Sequence, residues 1–337
     1  MNNSRFLRRL VVPELKDAVQ NFPKFDTQTH PAQGIRLFKA PPNDVLFGGL
    51  DVTEVNLPRA DGEGSLSLMV VKESVSGLEP RNIVLVVHGG GLLTGHPRDD
   101  GAIIRAFARA GYSVVSPDYR LSPENPPPAP ILDVLAAWNY IEKLLCPETR
   151  DLQRLTKSIA IYGTSSGAGL VASAVLSRAA ETGKERMPCR VVVLDAPDIG
   201  GTYHPIQGVS DPEFLWTARN IAQSHSWSLD QPSLSSLSPK DYLLPRHVNE
   251  VPQAWLNDHS EDIPLHVIGL HGGDSLALQG LEYTAKLLEA GVPVESRLFA
   301  GAPHVPQTFF PGSKIAEEVV QFYVNSIHCA FNDVLPS

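Results

Sequence analysis

A short stretch in the middle of the chain, Gly163-Thr164-Ser165-Ser166-Gly167, constrains the fold most. The apolar run 158–162 before it favours a buried strand, and the run of small residues 168–174 after it favours a helix. Glycines two residues before and two after Ser165 permit a turn too tight for side chains at those positions. Such a turn lifts the Ser165 hydroxyl clear of the backbone and directs the amide of Ser166 to the same point. The pattern predicts a nucleophile at Ser165, although a glycine-rich loop would also fit it.

Patterns typical of strands and helices alternate along the rest of the chain. Two stretches of alternating apolar and polar residues, 51–57 and 65–71, flank a turn with two glycines and predict an antiparallel hairpin. Beyond residue 82, strands alternate with helices, which predicts an α/β fold with a mostly parallel eight-stranded sheet flanked by helices. The other predicted strands are 82–87, 112–116, 158–162, 190–194, 263–270 and 294–298, and the predicted helices are 4–22, 102–110, 129–145, 168–182, 276–290 and 312–327.

The pattern divides the chain into an N-terminal segment and one large domain that carries an insertion. Residues 1–50, a helix and an irregular stretch, predict a cap segment on the surface of the domain 51–337. Residues 197–258 interrupt the alternation after the carboxyl end of a strand, where parallel sheets bind ligands, so we interpret them as a lid. A surface excursion without function is the alternative. The insertion predicts one short helix with an acidic start and an apolar face, formed by Asp211, Glu213, Leu215, Ala218 and Ala222.

The composition disfavours several classes of function. With 37 acidic and 28 basic residues the net charge is −9, which argues against nucleic acid or an anionic membrane as the main partner. The three cysteines, Cys146, Cys189 and Cys329, are far apart, which fits neither a disulfide framework nor a zinc site. The basic start lacks the apolar core of a signal peptide, and no later run is long enough to span a bilayer. We therefore expect a cytoplasmic protein.

A second glycine-rich motif lies upstream of the serine. The sequence His88-Gly89-Gly90-Gly91 directly follows the apolar strand that ends at Val87. Consecutive glycines allow backbone amides to point at a negatively charged oxygen without interference from Cβ atoms. The motif therefore predicts an oxyanion hole rather than a flexible turn.

An acid and a histidine follow later strands of the predicted sheet. Asp274 comes after the strand 263–270 and His304 after the strand 294–298, so both are expected at the edge where Ser165 lies. A histidine there suits a proton acceptor for the serine, and an aspartate suits the group that orients it. Asp274 could also serve only as a helix N-cap, because Ser275-Leu276 begins a helix.

Together with the segment Ser116-Pro117-Asp118-Tyr119-Arg120-Leu121-Ser122-Pro123-Glu124, these motifs resemble the hormone-sensitive-lipase-like group of α/β hydrolases. The resemblance runs from about residue 50 to 330. It implies the α/β-hydrolase fold, with Ser165 as nucleophile, Asp274 as orienting acid and His304 as base. It further implies an oxyanion hole formed by the amides of Gly89, Gly90, Gly91 and Ser166.

The resemblance also implies supporting and pocket residues. Asp118, Arg120 and Glu124 would support the site from beneath, and His88 would anchor the glycine loop without touching substrate. The elbow departs from the group's Gly-Asp-Ser-Ala-Gly-Gly, and the catalytic histidine is followed by Val-Pro instead of Gly-Phe. The expected substrate contacts are Leu92, Thr164, Phe214, Trp216 and Val305.

Two further motifs resemble functional sites but receive no role. His271-Gly272-Gly273 resembles the glycine loop in sequence but directly precedes Asp274. His96 with Asp99 and Asp100 could ligate a metal on paper, but we interpret this stretch as a solvated loop. Chemistry of the serine–histidine kind needs neither a metal nor a cofactor.

The predicted function is that of a serine carboxylic-ester hydrolase acting through an acyl-enzyme. Aromatic residues of the insertion favour an apolar small-molecule ester as substrate. A repurposed enzyme that performs acyl transfer, elimination or cyclisation on a biosynthetic intermediate is one alternative, and a ligand receptor without catalysis is another. The sequence leaves open whether the protein forms a homodimer.

Overall fold

The computed structural model describes residues 5–23, 41–59, 61–74, 82–182, 187–201, 214–229 and 245–334. They contain a sheet of eight strands in the order β1-β2-β4-β3-β5-β6-β7-β8. The strands are β1 (Leu50–Pro58), β2 (Ser65–Glu73), β3 (Ile83–Val87), β4 (Ser113–Pro117), β5 (Ile159–Thr164), β6 (Val191–Asp195), β7 (Leu265–Gly273) and β8 (Val294–Pro303). Strand β2 runs antiparallel to both of its neighbours, and the pairs from β4 to β8 are parallel. The predicted hairpin and mostly parallel sheet are confirmed.

Helices lie between the strands, as the alternation predicts. They are α1 (Arg5–Arg9), α2 (Lys16–Asn21), α3 (Asn43–Leu46), α4 (Gly101–Arg109), α5 (Ala129–Leu145), α6 (Leu152–Ser158), α7 (Ser166–Thr182), α8 (Ala218–Leu229), α9 (Gln253–His259), α10 (Ala277–Glu289), α11 (Pro306–Phe309) and α12 (Lys314–Phe331). Among the described residues, no helix is both long and apolar enough to cross a bilayer.

The sheet has an apolar layer on each face because successive side chains of a strand point to opposite sides. In β3, Ile83, Leu85 and Val87 join a buried cluster that contains Trp138 of α5 and Leu170 of α7. The two residues between them, Val84 and Val86, join a second cluster with side chains from α4 and α12. A strand covered on both faces has no position for a polar residue, which explains the continuous apolar run.

The N-terminal segment differs from its prediction. The single helix predicted over 4–22 is broken into α1 and α2, with a 3-10 turn at Pro13–Leu15 between them. A contact with the main domain stabilises the break, because the amide of Val12 donates to the carbonyl of Gly301 in β8 at 2.9 Å. A tertiary hydrogen bond of this kind leaves no signal in helical periodicity.

The insertion is described only in part. The predicted acidic start of its helix, Asp211 and Glu213, lies outside the described residues. The observed helix α8 begins at Ala218, so Leu215 precedes it. Helix α9 and a 3-10 turn at Pro245–Glu250 follow before β7, and neither was predicted. Helix α6 was also missed, because seven residues give too few turns for a periodic signal.

The pairing of the strands brings the predicted site together at one edge. Thr164 at the end of β5 pairs with Asp195 at the end of β6. Gly273 at the end of β7 pairs with Pro303 at the end of β8. The next residues along the chain, Ser165, Asp274 and His304, therefore leave the sheet at the same edge.

Candidate active site

Ser165 lies at the tight turn that its flanking glycines predict. Its φ of 56° is in the left-handed region, which is strained for a residue with a side chain. A Cβ atom at Gly163 would lie 2.6 Å from Cα of Ala168, and one at Gly167 would lie 2.3 Å from two carbonyl oxygens. Only glycine fits these two positions. The amide of Ser165 donates to the carbonyl of Asp195 at 2.8 Å, which fixes the turn to β6.

Ser165, His304 and Asp274 form a continuous line of hydrogen bonds. Nε2 of His304 lies 3.1 Å from Oγ of Ser165, and Nδ1 lies 2.8 Å from Oδ2 of Asp274. All three residues are buried. The arrangement is that of a serine, a base and an acid that orients the base. The second carboxylate oxygen of Asp274 accepts from the amide of Leu276 at 3.2 Å in the turn before α10, whose N-cap residue is Leu276 and not Asp274.

The electrostatics suit His304 as a base. Burial disfavours the imidazolium and by itself lowers the pKa of His304. The negative charge and hydrogen bond of Asp274 outweigh burial and raise that pKa above its ordinary value. More distant carboxylates, Asp195 and Asp198, add to the increase. The surroundings therefore stabilise the charge that His304 gains when it takes a proton.

The glycine loop lies against the elbow. Gly90 and Gly91 have positive φ values of 121° and 63°, which side chains disfavour. A Cβ atom at Gly89 would lie 3.0 Å from the carbonyl oxygen of Thr164 and 3.3 Å from Cβ of Ser165. The amide of Leu92 donates to Oγ of Ser166 at 3.2 Å and ties the loop to the residue after Ser165. The loop and the elbow thus approach as closely as backbones permit.

His88 holds the loop from beneath, as expected. Its ring stacks on Tyr119 with the ring centroids 4.1 Å apart, and the Tyr119 hydroxyl donates to the His88 carbonyl at 2.8 Å. Burial lowers the pKa of His88 to about 3, so the ring is neutral at physiological pH. The segment that contains Tyr119 adds a further tie, because the amide of Ser122 donates to the carbonyl of Leu92 at 2.8 Å.

Arg120 of the same segment acts farther from the site. Its guanidinium contacts both carboxylate oxygens of Asp133 in α5, at 3.0 and 2.9 Å, and Asp61 of the hairpin turn at 2.6 Å. These bonds join the edge of the sheet to α5. The direct support of the loop comes from Tyr119 and Ser122, two residues to which the sequence analysis gave no role.

A cavity of about 450 Å³ opens onto Ser165 and His304. Gly89, Gly90 and Gly91 line it, together with three of the five predicted contacts, Thr164, Trp216 and Val305. The other wall residues include Val45, Leu46, Arg98, Asp99, Asp100, Arg105, Gln307 and Phe309.

Two predicted substrate contacts lie elsewhere. The side chain of Leu92 belongs to the core between α5 and α7, and only its amide faces the elbow. Phe214 is 1% exposed and packs edge to face on Phe6 of α1, with ring centroids 5.0 Å apart. Both residues are therefore packing residues, because each finds an apolar neighbour that the linear sequence does not reveal.

The stretch with His96, Asp99 and Asp100 is not the solvated loop that the sequence suggested. It forms a 3-10 turn, Pro97–Asp100, in which the His96 side chain accepts from the amide of Arg98. Asp100 is 2% exposed, lines the cavity and accepts from the Thr308 hydroxyl at 3.2 Å. Burial raises the pKa of Asp100 to about 7.

Comparisons with known proteins agree with this fold. A family model described as the alpha/beta hydrolase fold matches residues 84–308, more than half of the chain. The esterase LipI of Mycobacterium tuberculosis is 30% identical over 220 residues, which cover 63% of this chain and 62% of LipI. The carboxylic ester hydrolase LipN of the same organism is 26% identical over 259 residues, covering 76% and 64% of the two chains. The chain thus matches less than two thirds of the length of these curated relatives.

Solved structures resemble the protein over almost its whole length. A bacterial heroin esterase superposes with a TM-score of 0.77 at 26% identity and covers 97% of this chain and 99% of its own. A thermostable esterase from Pseudomonas putida ECU1011 gives a TM-score of 0.76 at 19% identity, covering 96% and 98% of the two chains, which shows the fold alone. With the strand order, the elbow and the family match together, the chain belongs to the α/β-hydrolase fold family.

Proposed function

We propose that this protein is a serine hydrolase of carboxylic esters that works through an acyl-enzyme. The observation that carries the proposal is the line of hydrogen bonds from Oγ of Ser165 through His304 to Asp274. The esterase names of LipI, LipN and the heroin esterase support it and favour hydrolysis over a biosynthetic reaction. A ligand receptor would not need a base within reach of a strained serine.

The reaction begins when Ser165 attacks the ester carbonyl and His304 takes the hydroxyl proton. Asp274 keeps the imidazole oriented and stabilises its charge. The amides of the glycine loop, Gly89, Gly90 and Gly91, with that of Ser166, bind the oxyanion of the tetrahedral intermediate. His304 then gives its proton to the leaving alcohol, and water hydrolyses the acyl-enzyme by the reverse sequence of proton transfers.

The cavity suggests the kind of ester. Its wall carries Val45, Leu46, Trp216 and Phe309 next to the nucleophile, so an apolar group of the substrate would bury its surface there. At about 450 Å³ the cavity has room for a small molecule rather than a polymer. We therefore favour an ester of a small, largely apolar acid or alcohol.

The N-terminal segment and the insertion act as the cap over this cavity. Val45 and Leu46 of the N-terminal segment and Trp216 of the insertion line the cavity, and the Phe6–Phe214 pair joins the two parts. Val12 of the N-terminal segment also bonds to Gly301. Gly301 comes three residues before His304, so the segment touches the strand end that bears the base. Over a bound ester, the cap would exclude bulk water from the reacting groups and leave room for the water that hydrolyses the acyl-enzyme.

The test is turnover of aryl esters from acetyl to dodecanoyl by the wild type and by Ser165→Ala. The wild type should hydrolyse the short chains, and Ser165→Ala should lose about 10⁶-fold in kcat. A fluorophosphonate should add to the wild type and leave the Ser165→Ala variant unlabelled. Ser173→Ala is the matched control, because Ser173 is buried in α7 and its hydroxyl has no hydrogen-bond partner in the described structure. Equal labelling of Ser165→Ala and the wild type would contradict the proposal.

A further inference from the structure

Another histidine–aspartate pair lies directly beneath the triad. Asp195 ends β6 and His271 lies near the end of β7, and both side chains are 0% exposed. Nε2 of His271 lies 3.0 Å from Oδ1 of Asp195. Neither residue touches the cavity, so neither can contact substrate.

Asp195 is surrounded by hydrogen-bond donors. The hydroxyls of Tyr323 and Tyr162 donate to it at 2.6 and 2.9 Å. The side-chain amide of Gln307 donates to the same carboxylate oxygen as Tyr162. Against the effect of burial, hydrogen bonds from these donors stabilise the ionised carboxylate and lower the pKa of Asp195. Asp195 is therefore a buried anion held in one orientation.

The donor and acceptor roles of the His271 ring follow from its neighbours. Nδ1 accepts from the amide of Val305 at 3.1 Å, so it carries no proton. The proton of the neutral ring must then be on Nε2, the nitrogen that faces Asp195. A doubly protonated ring could not accept at Nδ1, and the carboxylate oxygen of Asp195 near Nε2 favours the proton on that nitrogen by its charge, without the alignment of a hydrogen bond.

Val305 is the residue that needs this acceptor. It follows His304 and has φ 37° and ψ 64°, a left-handed conformation that is an outlier for a β-branched residue. Strain of this kind persists only where the surroundings hold the backbone. The bond to His271 is the one that the Val305 amide makes, and it lies one peptide from the catalytic base.

The same pair touches the other two members of the triad through the backbone. The carbonyl of Asp195 accepts from the amide of Ser165, and the carbonyl of His271 accepts from the amide of Asp274 at 3.0 Å. All three catalytic residues are thus linked to two residues that do no chemistry.

We propose that His271 and Asp195 are positioning residues that hold the strained turn at Val305 and so fix the ring of His304 against Ser165. The inference rests on the proposed function for its rate measurements. Asp195 favours the His271 tautomer that carries its proton on Nε2. Nδ1 then accepts from the Val305 amide and fixes the backbone there. Because His304 precedes Val305 in the chain, the fixed backbone also positions the imidazole of His304. Loss of the acceptor lets the turn relax, and a displacement of about 1 Å in a catalytic group can lower the rate about 100-fold.

Two substitutions at His271 separate this role from simple packing. His271→Leu fills nearly the same space but can neither accept nor donate. In His271→Asn the amide oxygen takes the position of Nδ1 and can still accept from Val305. The matched control is His266→Leu, since His266 is an equally buried histidine of β7 at the far end of the strand from the triad.

The kinetic readout is the split between kcat and KM for a short-chain aryl ester. His271→Leu should lose about 10- to 100-fold in kcat with KM nearly unchanged, because the cavity wall stays intact. His271→Asn should recover most of that loss, and His266→Leu should keep the kcat of the wild type even where its Tm falls. A His271→Leu variant with the kcat of the wild type would overturn the proposal, as would an Asn variant that melts normally but is as slow as the Leu variant.

A second readout needs no turnover. At a pH where His304 is protonated, the proton between its Nδ1 and Asp274 gives a far-downfield NMR signal, assigned by its loss in His304→Ala. We expect that signal to broaden or vanish in His271→Leu and to persist in His271→Asn and His266→Leu. A wild type without esterase activity would refute the proposed function, yet this signal would still decide whether the pair positions His304. A signal unchanged in His271→Leu would refute the positioning role.

Discussion

Two of the histidine–aspartate pairs at the edge of the sheet, His304–Asp274 and His271–Asp195, each place a ring nitrogen beside a carboxylate, but in opposite ring orientations. In the first pair Nδ1 faces the carboxylate at 2.8 Å and Nε2 faces the Ser165 hydroxyl. In the second, Nε2 faces the carboxylate at 3.0 Å and Nδ1 accepts from a backbone amide. A serine hydroxyl can give up its proton to an imidazole when it attacks a carbonyl, whereas a backbone amide at neutral pH cannot. The third partner therefore decides whether such a pair performs chemistry or holds structure.

Asp274→Asn should produce the largest difference between the two pairs. The asparagine can favour the wrong tautomer of His304 and cannot stabilise its charge, so kcat should fall about 10,000-fold. Folding should change little, because the side-chain oxygen of the asparagine can still accept from the amide of Leu276. The measurement is kcat on a short aryl ester together with Tm, and a fall of less than tenfold would show that Asp274 is not the orienting acid.

Asp195→Asn should have its main effect on folding. The new NH₂ group would face hydroxyl and amide donors in a site closed to water, where each unsatisfied group costs about 1–3 kcal/mol. The free energy of unfolding should fall by about 3 kcal/mol or more, as measured by urea titration. A variant as stable as the wild type would mean that Asp195 does not organise these donors.

The pH dependence of kcat/KM should distinguish the catalytic histidine from an ordinary one. His304 must be neutral to take the serine proton, and its pKa is raised by Asp274, so activity should be lost as the pH falls through a midpoint above the ordinary value of about 6.5. In Asp274→Asn the charge is gone, and the midpoint of the residual activity should move to lower pH. A midpoint that does not move would place the titrating group elsewhere.

Tyr323→Phe should have the smallest effect. It removes one hydroxyl donor to the Asp195 carboxylate and leaves the other donors in place, which should lower the free energy of unfolding by about 1.5–3 kcal/mol. Tyr283→Phe is the matched control, because Tyr283 is equally buried but its hydroxyl has no partner in the described part of the chain. Equal losses in the two variants would mean that the bond to Asp195 contributes nothing measurable.

Much of the fold could be predicted because its signals are local. Apolar runs mark β3, β5 and β6, and the glycines around Ser165 are required by atoms only a few residues away. The extra length of β8, which continues to Pro303, was missed because pairing with β7 extends it past its apolar part. Pairing of this kind depends on a neighbour that the local pattern does not contain.

The candidate site divides in the same way. The motifs pointed to Ser165, Asp274 and His304, and strand register explains why the structure brings them together. Leu92 follows the glycine loop in the chain and Phe214 is an aromatic residue of the insertion, but each packs against apolar side chains distant in the sequence. His271 was set aside because its glycine neighbours suggested a second loop, and only the position of Val305 reveals its partner.

The sequence by itself determined the strands of this protein and the residues of its candidate triad. Glycine spacing, apolar periodicity and residue type depend on nearby atoms, and these specify the strands, the elbow and the three reactive groups. The tertiary structure alone decided which nitrogen of each histidine faces a carboxylate, because that choice depends on donors and acceptors contributed by separate strands. It thereby decided that His304 meets a hydroxyl while His271 meets an amide.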